Sequence, residues 1–170
     1  GDFFKNKALG MEPGFAKSGL GALETSSNYL TGVGNTLQNN LFSKEGLKNI
    51  HTLTYKEASV IPNKFCDGCE SLVNLTITGT PTSIGNYAFR NNVSLIDIEI
   101  PNSVTSIGRY AYKNTGIKTL TLDNKVEIKR GAFSDNKNLR TVDILSKDID
   151  LGRKVFSGSN SITELSLYYS

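Results

Sequence analysis

The sequence predicts a solenoid of stacked coils: a β-rich right-handed superhelix with a parallel sheet on its concave face and short strands or 3-10 turns on its convex face. Three observations carry this expectation. A six-residue pattern with apolar first, fourth and sixth positions begins at Leu72, Leu95, Ile117, Leu139 and Ile162. Successive starts are separated by 23, 22, 22 and 23 residues. A second block, Ile84-Gly-Asn-Tyr-Ala88-Phe89, recurs after each strand pattern as Ile107 to Tyr112, Ile128 to Phe133 and Leu151 to Phe156. Self-similarity at a fixed period in this range marks a repeat architecture, in which one unit cannot bury its apolar face alone and must stack on its neighbours.

The elements follow in order. The first third is degenerate. Phe15-Ala-Lys-Ser-Gly19-Leu20 and Phe42-Ser-Lys-Glu-Gly46-Leu47 both match Tyr112-Lys-Asn-Thr-Gly116-Ile117, which sets strand starts at Leu20 and Leu47. The spacings from Leu20 to Leu47 and from Leu47 to Leu72 are 27 and 25 residues, so both repeats carry insertions. Residues 25–36, rich in Ser, Thr, Gly and Asn, are the place for the longer one. A register built on Ile50, Leu53 and Tyr55 is the alternative. The chain reads as one leucine-rich-repeat solenoid over 1–170, with degenerate repeats and insertions in 1–71 and regular 22–23-residue repeats in 72–170. Neither end shows a polar cap, so the expectation is a piece of a longer array.

Leu-x-x-Leu-x-Leu is too short for a normal helix, and its β-branched filling favours a strand. Alternation sends the last two apolar positions inward and the residues between them to solvent. Phe65, Phe89, Tyr112, Phe133 and Phe156 form an aromatic column on the opposite wall of the core. Three residues before the strand starts stand Cys69, Asn92, Asn114, Asn136 and Ser159, a ladder that satisfies turn backbone groups cut off from water. Gly85, Gly108 and Gly152 fall where the backbone needs either φ > 0 or close approach.

Composition excludes several classes of function. Apolar residues are 38% and charged residues 21% of the chain, which fits a thin object with much surface. The net charge is +3 and no dense Lys/Arg run occurs, so neither a nucleic-acid nor a membrane partner is expected. No apolar stretch is long enough to span a bilayer. Cys66 and Cys69 are spaced as Cys-x-x-Cys, but His51 is the sole histidine, and a zinc site needs four ligands. A redox pair of the thioredoxin kind needs a strand-to-helix context that is missing. The reading is one buried thiol beside a loop cysteine. His51 has no partnered nucleophile, no Gly-x-Ser-x-Gly elbow occurs, and Gly32-x-Gly34 lacks the rest of a phosphate loop. Asp148-Ile-Asp150 lacks the closing glutamate of a calcium loop. The expectation is no enzyme, no catalytic residue, no metal and no cofactor.

The solvent side of the sheet is the candidate binding face. Its columns are Val73, Ile96, Lys118, Arg140 and Thr163; Asn74, Asp97, Thr119, Thr141 and Glu164; and Thr76, Glu99, Thr121, Asp143 and Ser166. Asp97, Glu99 and Asp143 make an acidic stripe beside Lys118 and Arg140, and Val73 with Ile96 is an exposed apolar pair of the kind that marks contact sites.

Residues 95–112, Leu-x-x-Ile-x-Ile-Pro-Asn-Ser-Val-Thr-Ser-Ile-Gly-x-Tyr-Ala-Tyr, resemble the BspA-like leucine-rich repeats of bacterial and protozoan surface proteins. The likeness is specific over 72–167 and weaker before it. Thr80-Pro81 shifts the usual proline, Leu145-Ser146 replaces it, and Lys129 stands in the glycine slot. The resemblance implies an extracellular or cell-surface protein that binds a host matrix protein, another cell-surface protein or a glycan. The leading expectation is protein–protein interaction in adhesion. The alternatives are capture of a glycan or nutrient, disfavoured by the lack of aromatics on the candidate face, and a spacer within a larger surface protein.

Overall fold

The computed structural model describes residues 44–58 and 60–168, so the expected strand at Leu20 and the insertion at 25–36 lie outside the described residues. A short helix α1 (Lys44–Leu47) precedes nine strands: β1 (Thr52–Tyr55), β2 (Asn74–Ile77), β3 (Ser83–Ile84), β4 (Ser106–Ile107), β5 (Thr119–Leu122), β6 (Val126–Ile128), β7 (Thr141–Ile144), β8 (Ile149–Leu151) and β9 (Glu164–Leu167). Every strand pairing among the described residues is parallel. One wall of the solenoid is formed by β1-β2 and by β5-β7-β9, the other by β3-β4-β6-β8. An isolated bridge, Ile61 to Ile84, extends the second wall by one coil. The described residues thus form a leucine-rich-repeat solenoid whose second wall carries the expected short strands.

Alternation works where the stack is complete. In β5 the burial pattern is exposed, buried, exposed, buried, so Leu120 and Leu122 enter the core while Thr119 and Thr121 face solvent. Val104, Ile107, Val126 and Ile128 close the core from the other wall. Phe89, Tyr112, Phe133 and Phe156 stack face to face down the array, with centroids 5.4, 5.4 and 6.0 Å apart.

The register corrects three expectations. Leu47 lies in α1, and β1 pairs Leu53 with Leu75 and Tyr55 with Ile77. The strand pattern therefore starts at Ile50, and no insertion separates it from Leu72: burying Tyr55 on Ile77 outweighs the likeness of Phe42–Leu47 to a later turn. Phe65 does not hold the aromatic slot. The amide of Cys66 donates to the carbonyl of Ala88, as those of Phe89 and Tyr112 do to Ala111 and Ala132, so Cys66 is the counterpart of Phe89 and Phe65 that of Ala88. Phe65 fills the volume from that neighbouring slot, edge-on to Tyr55 at 5.5 Å and to Phe89 at 6.4 Å. Cys66 is joined to Cys69 in a disulfide, both residues buried, so the expected thiol beside a loop cysteine is replaced by a closed bridge.

The polar ladder is real but has a different member. Asn92 donates to the carbonyl of Cys66, Asn136 to that of Tyr112, and the Ser159 hydroxyl to that of Phe133. Two of the oxygens in turn accept from the coil before, Asn136 Oδ1 from the Thr115 amide and hydroxyl and Ser159 Oγ from the Asn136 amide, whereas Asn92 Oδ1 has no partner among the described residues. The fourth rung is thus Thr115, 5% exposed, and not Asn114, which is half-buried and donates to Asn91. Five residues separate Tyr112 from Ile117 where six separate Phe89 from Leu95, so counting back from the strand overshoots the rung.

The glycine column acts through close approach. A Cβ on Gly85 would lie 2.5 Å from the backbone nitrogen of Asn63. Positive φ falls instead two residues later, at Tyr87, Tyr110, Gly131 and Lys154, and again four residues after those, at Asn91, Asn114, Asp135 and Gly158. Each coil therefore turns through two left-handed residues, one on either side of its aromatic slot.

Candidate binding face

Parallel pairing sets successive coils of each solvent column at the usual strand spacing of about 4.8 Å within β1-β2 and within β5-β7-β9. Val73, Asn74, Thr76, Ile96, Asp97, Glu99, Lys118, Thr119, Thr121, Arg140, Thr163, Glu164 and Ser166 are exposed, and Thr141 and Asp143 are half-buried. The Thr141 hydroxyl donates to Glu164 at 3.1 Å, a cross-strand contact within the face. Val73 and Ile96 are 45% and 41% exposed, an apolar pair in the same column as Lys118 and Arg140.

The face is interrupted at its third coil. Residues 95–100 form no strand, and no backbone hydrogen bond joins 97–100 to β2. On the side of β5 only the Lys118 amide reaches back, to the Ile96 carbonyl at 3.3 Å. Elsewhere the residue after the strand closes the ladder: Thr78, Leu145 and Tyr168 donate to Tyr55, Leu122 and Ile144 of the coil before. Pro101 occupies that position in the third coil and has no N–H to give.

A cleft of about 620 Å³ opens at this break. Its floor is Leu75, Ile77 and Ile98, inward-facing residues that are half-buried here, whereas their counterparts Leu120, Leu122 and Val142 are fully buried. Its rim is Thr76, Glu99, Asn102, Thr119, Thr121 and Asp123. The structure thus gathers Thr76, Glu99, Thr119 and Thr121 around one cavity. Val73, Asn74, Ile96, Asp97, Lys118, Arg140, Thr141, Asp143 and Glu164 share the wall but lie outside the cleft. Sequence reasoning missed Pro101, Asn102 and Asp123; the signal was a proline placed directly after an apolar strand pattern.

The arrangement offers hydroxyls, an amide, two carboxylates and unpaired main chain over an apolar floor. It suits recognition of an extended polymer. Among the described residues no three His, Cys, Asp or Glu side chains converge as a metal site. His51 is exposed, and its carbonyl accepts from the amides of Val73 and Asn74. No helix of the described residues is long and apolar enough to cross a membrane.

Comparison with known proteins adds the following. A family model described as BspA type leucine rich repeat region matches residues 59–169 in six copies. No curated protein matches the chain. A solved leucine-rich repeat protein from Bacteroides ovatus is similar at 21% identity, with a TM-score of 0.48, over 66% of this chain and 43% of that one. The chain spans less than half the length of that structure.

Proposed function

The chain belongs to the BspA-type leucine-rich-repeat family, and from that premise we propose that it is a non-catalytic binding module that holds a partner protein on the wall formed by β1, β2, β5, β7 and β9. The observation that carries this reading is the break at the third coil. Among the described residues, strand β2 pairs with no strand on the side away from β1, and β5 with none on the side away from β7. Unpaired strand edges are templates for an added strand. In such recognition main-chain bonds supply affinity, and pockets beneath the strand select side chains. The partner therefore contributes an extended segment to the cleft, its apolar side chains on Leu75, Ile77 and Ile98. The outer columns Asp97, Lys118, Arg140 and Asp143 set its register by charge.

Extracellular or cell-surface location and a role in adhesion fit the same reading. A disulfide between Cys66 and Cys69 suits an oxidising compartment.

The test is binding of the purified chain to immobilised matrix proteins and glycans, beside two variants. One carries Thr76→Arg and Thr121→Arg, which fill the cleft; the other carries Asp97, Glu99, Lys118 and Arg140 changed to Ala. Binding to a protein that both variants lose supports the reading. Binding that both retain moves the site off this wall, and binding to glycans alone overturns the protein partner.

A further inference from the structure

A second surface lies on the turn following the β3-β4-β6-β8 wall. The amides of Tyr87, Tyr110 and Gly131 donate to the carbonyls of Arg109, Arg130 and Arg153, each one coil onward, at 2.9, 3.0 and 3.0 Å. These bonds stack the three arginines in one row, though 21 and 23 residues separate them in the chain. Lys129 and Lys154 flank the row. All five side chains are exposed, and none forms an ion pair among the described residues. Nearby cations do have partners: Arg90 holds Asp67 through two bonds of 2.9 and 2.6 Å, and Lys113 lies 3.7 Å from Asp135. The nearest acidic residues in the chain, Glu127 and Asp150, pair in register two positions before Lys129 and Gly152 and bound the row on one side.

Like charges held opposite one another on adjacent strands repel. A row of this kind costs stability in the free protein and is relieved when a polyanion binds. Guanidinium forks pair with two oxygens of an oxyanion at once. We propose that this row binds a linear sulfated polysaccharide lying across the coils. Sugar is favoured over nucleic acid by the neighbouring tyrosines. Tyr87 and Tyr110 stack on each other at 5.5 Å, the Arg90 guanidinium covers Tyr87 at 4.4 Å, and the Gly131 backbone lies against Tyr110. Single-stranded nucleic acids bind through free ring faces on which bases stack, and these rings have none to offer. The site lies on the turn after the β3-β4-β6-β8 wall, shares no residue with the proposed protein-binding face and is independent of it.

The probe is a size-defined heparin oligosaccharide, with its desulfated form and a single-stranded oligonucleotide of equal charge as competitors. Replacing Arg109, Arg130 and Arg153 by Ser weakens binding roughly tenfold to a hundredfold near physiological salt, as expected for about three lost charge contacts. A variant with Lys125, Lys137 and Lys147 changed to Ser has the same net charge and retains binding. An unchanged circular dichroism spectrum establishes that both variants fold. Equal losses in the two variants reduce the effect to net charge and overturn the site. Equal binding of desulfated heparin, or displacement by the oligonucleotide at lower concentration than heparin, overturns the proposed ligand.

Discussion

The side-chain amide of Asn136 donates to the carbonyl oxygen of Tyr112 in the preceding coil at 2.9 Å, inside a core closed to water. The same side chain accepts from the amide and the hydroxyl of Thr115. Asn136→Ala leaves one acceptor and two donors buried without partners. Each such orphan costs about 1–3 kcal/mol, so we expect a loss of about 3 kcal/mol in urea denaturation. A change below about 1 kcal/mol would remove the ladder as a source of cohesion between coils.

Tyr112 shows the reverse case. Its ring is fully buried in a column otherwise made of phenylalanine, and its hydroxyl has no hydrogen-bond partner among the described residues. Tyr112→Phe removes an unsatisfied group without changing the stack, and gains about 1 kcal/mol near neutral pH. Burial also pushes the phenol well above its ordinary range. The unfolded chain releases that proton from about pH 10, while the folded chain keeps it. The stability this protects is complete below the unfolded value and is lost as pH rises above it. The Phe variant flattens that part of the alkaline decline; an identical slope in both proteins contradicts the assignment.

How far the sequence reveals the structure depends on which spacing is counted. Apolar positions repeat from coil to coil because the core demands them, so the strands that follow Leu72, Ile117, Leu139 and Ile162 are legible, whereas the strand expected at Leu95 does not form. The turn segment obeys a different anchor. Its rungs are counted forward from the aromatic slot, and the six-residue spacing from slot to strand picks out Cys66, not Phe65, before Leu72. In the Tyr112 coil that spacing is one residue shorter, which hides Thr115. The row of Arg109, Arg130 and Arg153 is illegible for another reason: isolated charges become neighbours only through stacking. The cleft has the faintest signal of all, a single missing N–H at Pro101.

The coil of Cys66 tests the idea of equivalent slots. There the disulfide occupies the aromatic slot and the polar rung together, with Phe65 supplying the missing ring volume. Reducing the bond costs at most about 2 kcal/mol by the loop-entropy estimate for so short a ring. Phe65→Ala alone costs about 3–5 kcal/mol, since it empties a buried ring site. Adding Cys66→Phe and Cys69→Asn to that change rebuilds the pattern of Phe89 and Asn92. The triple variant should recover most of the loss and be indifferent to reductant. Calorimetry with and without reductant checks this, and no recovery over Phe65→Ala would refute the equivalence.

Gly131 sits at φ +64°, in the slot that tyrosine fills at Tyr87 and Tyr110. A Cβ there would collide with Cδ1 and Cε1 of the Tyr110 ring. Gly131→Ala pays for both a left-handed backbone and a displaced ring, about 2 kcal/mol together. In a Tyr110→Ala background only the backbone contribution of about 1 kcal/mol should remain, so the double variant is destabilised by about 1 kcal/mol less than the sum of the two single changes. A double-mutant cycle measures it directly; strict additivity would mean that the ring swings away freely.

The break in the strand wall makes a prediction about dynamics that needs no ligand. The Leu145 amide donates to the Leu122 carbonyl at 2.8 Å and belongs to the continuous ladder of β5, β7 and β9. Its counterpart one coil earlier, the Asp123 amide, points at the third coil and has no hydrogen-bond partner among the described residues. Glu99 is in the same position relative to β2. Amides outside a ladder exchange through small local openings, while ladder amides wait for larger ones. Asp123 and Glu99 should therefore exchange faster than Leu145 by about two orders of magnitude or more, as native-state exchange spans that range between loops and core strands. If a partner protein adds an extended segment at the cleft, these two amides are the ones its binding should protect. Slow exchange at Asp123 and Glu99 in the free protein would mean that the ladder is continuous in solution, and the cleft with its open strand edges would then be absent.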